Sequence, residues 1–228
     1  MQTAFRKRNA VFLLITPKCY TFSMSEEELV SIIIRDPVRR SVIEAMAALD
    51  LPDAWIAGGF VRNAVWDSLF GEGSTTPIND VDVVYFKALD SYGVDQDTLL
   101  EIIQKDWMNP VWEEEDTAVA ALSSAVPGLS FEVKNQARMH ISSVRIVAQE
   151  PYKSMSDAVS GWVETATAIG IRMNEDGTFS VLAPYGLEDL FQGIIRPTQP
   201  AYSERARERA DAKGWLTLWP KLRFEEAC

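Results

Sequence analysis

Residues 55 to 86 constrain the fold more than any other part of the chain. An apolar run ending at Ala57 meets the pair Gly58-Gly59, continues through Phe60-Val61-Arg62-Asn63, and reaches Asp80-Val81-Asp82-Val83-Val84-Tyr85 one helix and one loop later. Ala54 to Ala57 reads as a short buried strand. The glycines permit a tight turn into a helix that carries Val61, Val65, Leu69 and Phe70 toward a core. Gly71 to Pro77 is rich in Gly, Ser, Thr and Pro and reads as a loop, after which Val81 to Phe86 returns as a strand. Such a unit buries its apolar faces only inside a sheet with helices packed on it.

The flanking sequence supplies those partners. Ser25-Glu26-Glu27-Glu28 is a capping-box pattern that starts a helix running to about Arg35, and Asp36-Pro37 starts a second whose Val38, Val42, Ile43, Met46 and Leu49 recur at helical spacing until Pro52. Asp97 to Trp107 reads as another helix, whereas Glu113 to Gly128, acidic and then Ala-rich, has no pattern that fixes an element. Phe131 to Asn135 alternates like a strand. Ala168 to Met173 and Thr178 to Leu182 form a hairpin turned by Glu175-Asp176-Gly177. Leu187 to Phe191 is a short helix, and Ser203 to Lys213 is a charged helix ending near Gly214. The expected class is α/β (α+β), a mixed sheet flanked by helices. Residues 1–23 read as a poorly ordered N-terminal extension, 24–150 as the core, and 151–228 as a C-terminal extension packing on it.

Composition narrows the chemistry. Nearly half of the 228 residues are apolar and seven are Trp, which excludes a disordered chain. The formal charge is -11, and four basic residues (Arg6, Lys7, Arg8, Lys18) precede the first acid at Glu26, so the remainder is more acidic still. Such a surface repels phosphate backbones and argues against a nucleic-acid partner, while leaving room for a small charged ligand in a local pocket. His140 is the single histidine, which excludes a zinc triad or any histidine pair. Cys19 and Cys228 suit neither a zinc site nor a disulfide framework, and point to a reducing cytoplasm. The apolar run Ala10 to Ile15 is too short to span a bilayer, so no membrane partner is expected.

Asp80 and Asp82, two apart on a strand, project their carboxylates from one face. Two carboxylates aimed at one point repel unless a cation lies between them, and hard oxygen ligands select Mg²⁺ or Mn²⁺. An Asp-x-Asp pair alone also occurs at ordinary strand edges. A glycine turn placed between a strand and a helix N-terminus lets backbone N–H groups approach phosphate, and Gly58-Gly59 stands in that place. Arg62 is positioned to face such phosphates or to pair with a carboxylate. Lys134, Asn135, Arg138 and His140 form a second polar cluster, in which the lone His140 is more often structural than a proton carrier. Tyr152, Trp162, Tyr185 and Trp215 either belong to the core or stack on a base. Arg205, Arg207, Arg209 and Lys213 interleave with acids and read as a solvated helix face.

The succession Gly58-Gly59-Phe60-Val61-Arg62-Asn63, then Gly71, then Asp80-Val81-Asp82 resembles the polymerase-beta-like nucleotidyltransferase superfamily, especially the heads of bacterial poly(A) polymerases and CCA-adding enzymes. Those usually have Asp where this chain has Asn63. More broadly, Trp55 to Asp67, Asp80 to Phe86, Glu132 to His140 and Ala183 to Phe191 are similar to a small bacterial nucleotidyltransferase-like family of unassigned substrate. The resemblance implies a third carboxylate, Glu132, completing a catalytic and metal-binding set with Asp80 and Asp82. It also implies a nucleoside triphosphate substrate, held by Gly58, Gly59, Arg62, Lys134 and Arg138. The activity implied is Mg²⁺-dependent transfer of a nucleoside monophosphate to a hydroxyl of a small-molecule or protein acceptor, with release of pyrophosphate. Extension of a tRNA or RNA 3′ end and a non-catalytic nucleotide-binding module stand as alternatives.

Overall fold

The structure, a computed structural model, describes residues 25–71, 75–88, 113–141 and 151–227, together with positions 73, 91, 93, 98 and 101. The expected extension at 1–23 and most of the helix expected at 97–107 lie outside these residues. α1 (Glu26–Ile34) and α2 (Pro37–Ala47) begin at the expected caps: the Ser25 hydroxyl accepts from the Glu28 N–H, and Asp36 accepts from those of Val38 and Arg39. β1 (Trp55–Ala57) turns through Gly58 into α3 (Gly59–Phe70), and β2 (Asp80–Tyr85) follows the loop. The unassigned stretch is a helix, α4 (Glu113–Ala125), burying Glu115, Ala118 and Leu122. It precedes β3 (Ser130–Asn135), which runs into a 3₁₀ turn over Gln136–Ile141.

The later part of the chain adds α5 (Met155–Ser160), then the hairpin β4 (Gly170–Met173) and β5 (Phe179–Leu182). α6 (Glu188–Gln192), β6 (Ile194–Ile195), α7 (Ser203–Ala212), α8 (Trp215–Leu218) and β7 (Arg223–Phe224) follow. The main sheet has the order β3-β2-β1-β4-β5, with β2 and β3 parallel and the other pairs antiparallel. It is a mixed sheet flanked by helices, as the sequence leads one to expect. Its last two strands come from beyond residue 150, so the segment read as a packing extension completes the sheet itself. No helix among the described residues is long and apolar enough to cross a membrane.

Strand alternation gives the two faces of the sheet different tasks. Ile56, Val81, Val83, Tyr85, Phe131, Val133 and Ile171 point into the main core beneath the helices. The other face presents Trp55, Ala57 and Val84, covered by Met155 and Val159 of α5 with Trp162 beside them. Asp80 and Asp82 share a face with Val84, so they emerge on this second side where α5 stops short. The C-terminal helices return to α3 through tryptophan. Trp66 meets Trp215 and Trp219 edge-on at 5.6 and 5.2 Å, contacts worth about 0.5–1.5 kcal/mol each beyond the area they bury. The indole N–H of Trp219 also donates to Asp67 at 3.0 Å. This docking carries the end of α7 to the acidic end of the sheet.

Candidate functional site

A cleft of about 460 Å³ opens on that second face. Gly58, Gly59, Arg62, Asp80, Asp82, Glu132 and Lys134 all line it, so seven of the eight site residues singled out in the sequence come together. The register explains how. Asp82 pairs with Ala57 on one side and with Glu132 on the other, and Asp80 pairs with Ser130. Glu132 and Lys134, two apart on β3, therefore stand beside Asp82 and Val84 on the same face.

Gly58 takes φ 65° and ψ -128°, a conformation that side chains with a Cβ strongly resist. A Cβ there would lie 3.1 Å from Asp82 Oδ2 and 3.6 Å from Trp162 Cζ3. The turn is thus pressed against the Asp82 carboxylate, at the N-terminus of a twelve-residue helix whose first N–H groups have no side-chain cap. Those N–H groups and the helix dipole favour an anion.

Asp82 is the cleft carboxylate whose pKa is displaced. Burial raises its pKa first, and the charges of Glu132 and Asp80 raise it further against the opposing pull of Lys213 and Arg62. The main cost to its charged form is lost water, with the neighbouring carboxylates adding to it. Among the described residues no three His, Cys, Asp or Glu side chains converge closely enough to hold a metal ion as they stand. Glu132 is turned to Lys134, 3.7 Å from carboxylate to ammonium. The donor set still fits a hard divalent cation in kind: three carboxylate side chains on one face, with Asp82 buried beside two like charges.

The rest of the cleft is cationic. Arg39, Arg62, Lys134, Arg209 and Lys213 face three carboxylates, giving a local positive excess in a chain of charge -11. Arg62 is fixed in place: Nη1 donates to Thr167 Oγ1 at 3.0 Å, Nη2 donates to Asn63 Oδ1 at 2.8 Å, and the guanidinium lies 4.2 Å from the Trp215 ring centroid. Its burial pulls its pKa down to about 10, so it remains protonated at neutral pH. Asn63, where the resembling enzymes carry Asp, serves here as acceptor for Arg62.

Arg138, the eighth of these residues, does not line the cleft. It is buried at the end of β3, and its Nη2 contacts both Glu115 carboxylate oxygens, at 2.7 and 2.5 Å. A buried acid reaching from α4 holds it in an ion pair, away from the residues that line the cleft. His140 is buried as well, with Nδ1 2.9 Å from the Ala137 carbonyl and its ring edge-on to Tyr152. Of the four aromatics considered, Trp162 lines the cleft and Trp215 is core. Arg209 and Lys213, in the stretch read as a solvated helix face, also line the cleft, and Arg209 departs from that reading by pairing with the buried Glu164. They are i, i+4 neighbours at the cleft edge, Arg209 half-buried and Lys213 exposed, and that spacing is the one local signal that they share a face.

Comparison with known proteins agrees with this geometry. The model of a family described as "Nucleotidyltransferase" matches residues 44–224. A solution structure described as revealing a CCA-adding enzyme head domain is 28% identical, with TM-score 0.66, covering 89% of this chain and 97% of that one. A CCA-adding enzyme in complex with CTP shares the fold at 13% identity and TM-score 0.50. The match covers 87% of this chain but only 43% of that enzyme, so this chain corresponds to less than half of it. No curated protein matches the chain.

Proposed function

Since the chain belongs to the nucleotidyltransferase family, and is a nucleotidyltransferase using a nucleoside triphosphate, we propose that it transfers a nucleoside monophosphate to a hydroxyl of a small molecule or protein and releases pyrophosphate. The observation that carries this reading is the meeting, in one cleft, of the Gly58-Gly59 turn with the carboxylates of Asp80, Asp82 and Glu132. Asp80 and Asp82, with Glu132 once it leaves Lys134, would hold Mg²⁺ or Mn²⁺. Bound there, such ions neutralise phosphate charge and lower the pKa of an attacking hydroxyl.

The protein's own groups divide the remaining work. The free N–H groups at the start of α3 and the fixed Arg62 guanidinium orient the phosphate chain. Lys213 and Arg209 supply further positive charge from α7, where pyrophosphate gains negative charge as it leaves. Glu132, exposed at the cleft edge and within reach of Lys134, would accept the proton of the acceptor hydroxyl. The half-buried Trp162 offers an aromatic wall beside the glycine turn.

The likeness to a CCA-adding enzyme head favours a second reading, addition to an RNA 3′ end. The acidic balance of the chain weighs against it. The test is incubation with α-labelled nucleoside triphosphates, Mg²⁺ and panels of small-molecule, protein and tRNA acceptors. Pyrophosphate release with label on a small molecule or protein supports the first reading, label on tRNA supports the second, and no release with any acceptor refutes both.

A further inference from the structure

Glu164 lies between α5 and β4, and only 1% of its surface is exposed. Its Oε1 accepts from Arg209 Nε at 2.8 Å, while its Oε2 is buried without a hydrogen-bond partner. The backbone there is tightly set: Glu164 bridges to Pro197, and its carbonyl accepts from the N–H groups of Thr167 and Ala168 at 3.1 and 3.0 Å. A carboxylate taken this far from water is costly unless it is paired. Arg209 supplies the pairing and Arg62 a second positive charge that Glu164 also favours, and both arginines line the cleft.

Arg62 and Arg209 oppose each other electrostatically, and Glu164 is the charge that most favours a protonated Arg62. Arg62 is held by its bonds to Thr167 and Asn63 and lies 5.2 and 4.2 Å from the ring centroids of Trp66 and Trp215. Arg209 is the movable partner, with 34% of its side chain exposed. Remove the buried negative charge, and repulsion from Arg62 drives Arg209 out toward solvent.

On the nucleotidyl-transfer reading given above, we propose that Glu164 is a positioning residue for the nucleoside triphosphate, holding the Arg209 guanidinium at the cleft alongside Arg62 so that both meet the phosphates. It touches no substrate itself and acts through Arg209. Thr167, whose hydroxyl fixes Arg62 and whose N–H binds the Glu164 carbonyl, ties the two arginine sites into one unit.

The test measures the affinity of the full chain for a non-hydrolysable ATP analogue with Mn²⁺, and for Mn²⁺ alone. Glu164→Gln is expected to weaken analogue binding about tenfold, the loss of roughly one charge-assisted contact, and to leave the affinity for Mn²⁺ alone unchanged. The double variant with Arg209→Met should bind no more weakly than Arg209→Met alone, because both act through one group. Parent-like or tighter binding by Glu164→Gln, or losses that add in the double variant, overturns the proposal. Should Glu164→Gln not fold, Arg209→Met carries the test at a partly exposed side chain: the same loss supports the proposal, and parent-like affinity overturns it. A parent protein that binds no analogue overturns the nucleotidyl-transfer reading as well, whereas binding that is indifferent to these variants overturns only the role of Glu164.

Discussion

Replacing Gly58 by Ala separates the two tasks assigned to the glycine turn. At φ 65° and ψ -128° an alanine is strained by about 1–3 kcal/mol. For a chain of this size that corresponds to a melting temperature lower by roughly 2–12 °C. The added Cβ would also stand 3.1 Å from Asp82 Oδ2, tighter than ordinary contact, so the carboxylate must shift by a few tenths of an ångström. A displacement of that size at a reacting centre lowers kcat/KM by about tenfold. Gly177, in the β4–β5 turn at φ 79° with nothing within 4 Å of its would-be Cβ, is the control. Gly177→Ala should lower the melting temperature to a similar degree and leave pyrophosphate release untouched. The comparison needs thermal melts and initial rates on both variants with saturating Mg²⁺. Equal activity in the two variants would refute the claim that the turn is fitted to the Asp82 carboxylate.

Asp82→Asn should abolish turnover and yet stabilise the metal-free protein at neutral pH. The folded-state pKa of Asp82 lies above its unfolded value, so the folded protein binds the extra proton and stability falls as pH rises between the two. Melts of the metal-free parent from about pH 4 to pH 8 should show that decline, and the variant should lack this contribution; a variant less stable than the parent at neutral pH contradicts the assignment. For the same reason, activity on the acid side should fail at a higher pH than an ordinary aspartate would give, which a kcat/KM profile reads directly. Arg138→Met leaves Glu115 buried without its partner and should destabilise by about 3–5 kcal/mol while the KM for nucleotide holds; a raised KM in the folded fraction would return Arg138 to the site.

The strand and turn elements of the site were legible because local chemistry dictates them. Gly58-Gly59 between an apolar run and a helical pattern, and Asp80-x-Asp82 on an alternating strand, mean the same thing in isolation as in the folded protein. The hairpin at Glu175-Asp176-Gly177 was readable on the same ground. α4 was not, since its buried side is only Glu115, Ala118 and Leu122, too thin a stripe among acids and alanines to show a period. The partners of Arg138 and Arg209 were hidden from the sequence for a common reason. Each arginine takes its role from a carboxylate distant in the chain, Glu115 for one and Glu164 for the other, and nothing local reports that pairing. The placement of α7 likewise depends on Trp66 receiving Trp215 and Trp219, a contact that spans most of the described chain.

The most direct test of the central claim is a crystal structure with a non-hydrolysable nucleoside triphosphate and Mn²⁺, read from the anomalous signal of the metal. The account predicts Mn²⁺ bound by Asp80 and Asp82, with Glu132 swung away from Lys134 to join them and the phosphates against the start of α3. Mn²⁺ and nucleotide bound elsewhere, or seated in the cleft with all three carboxylates uninvolved, would contradict it.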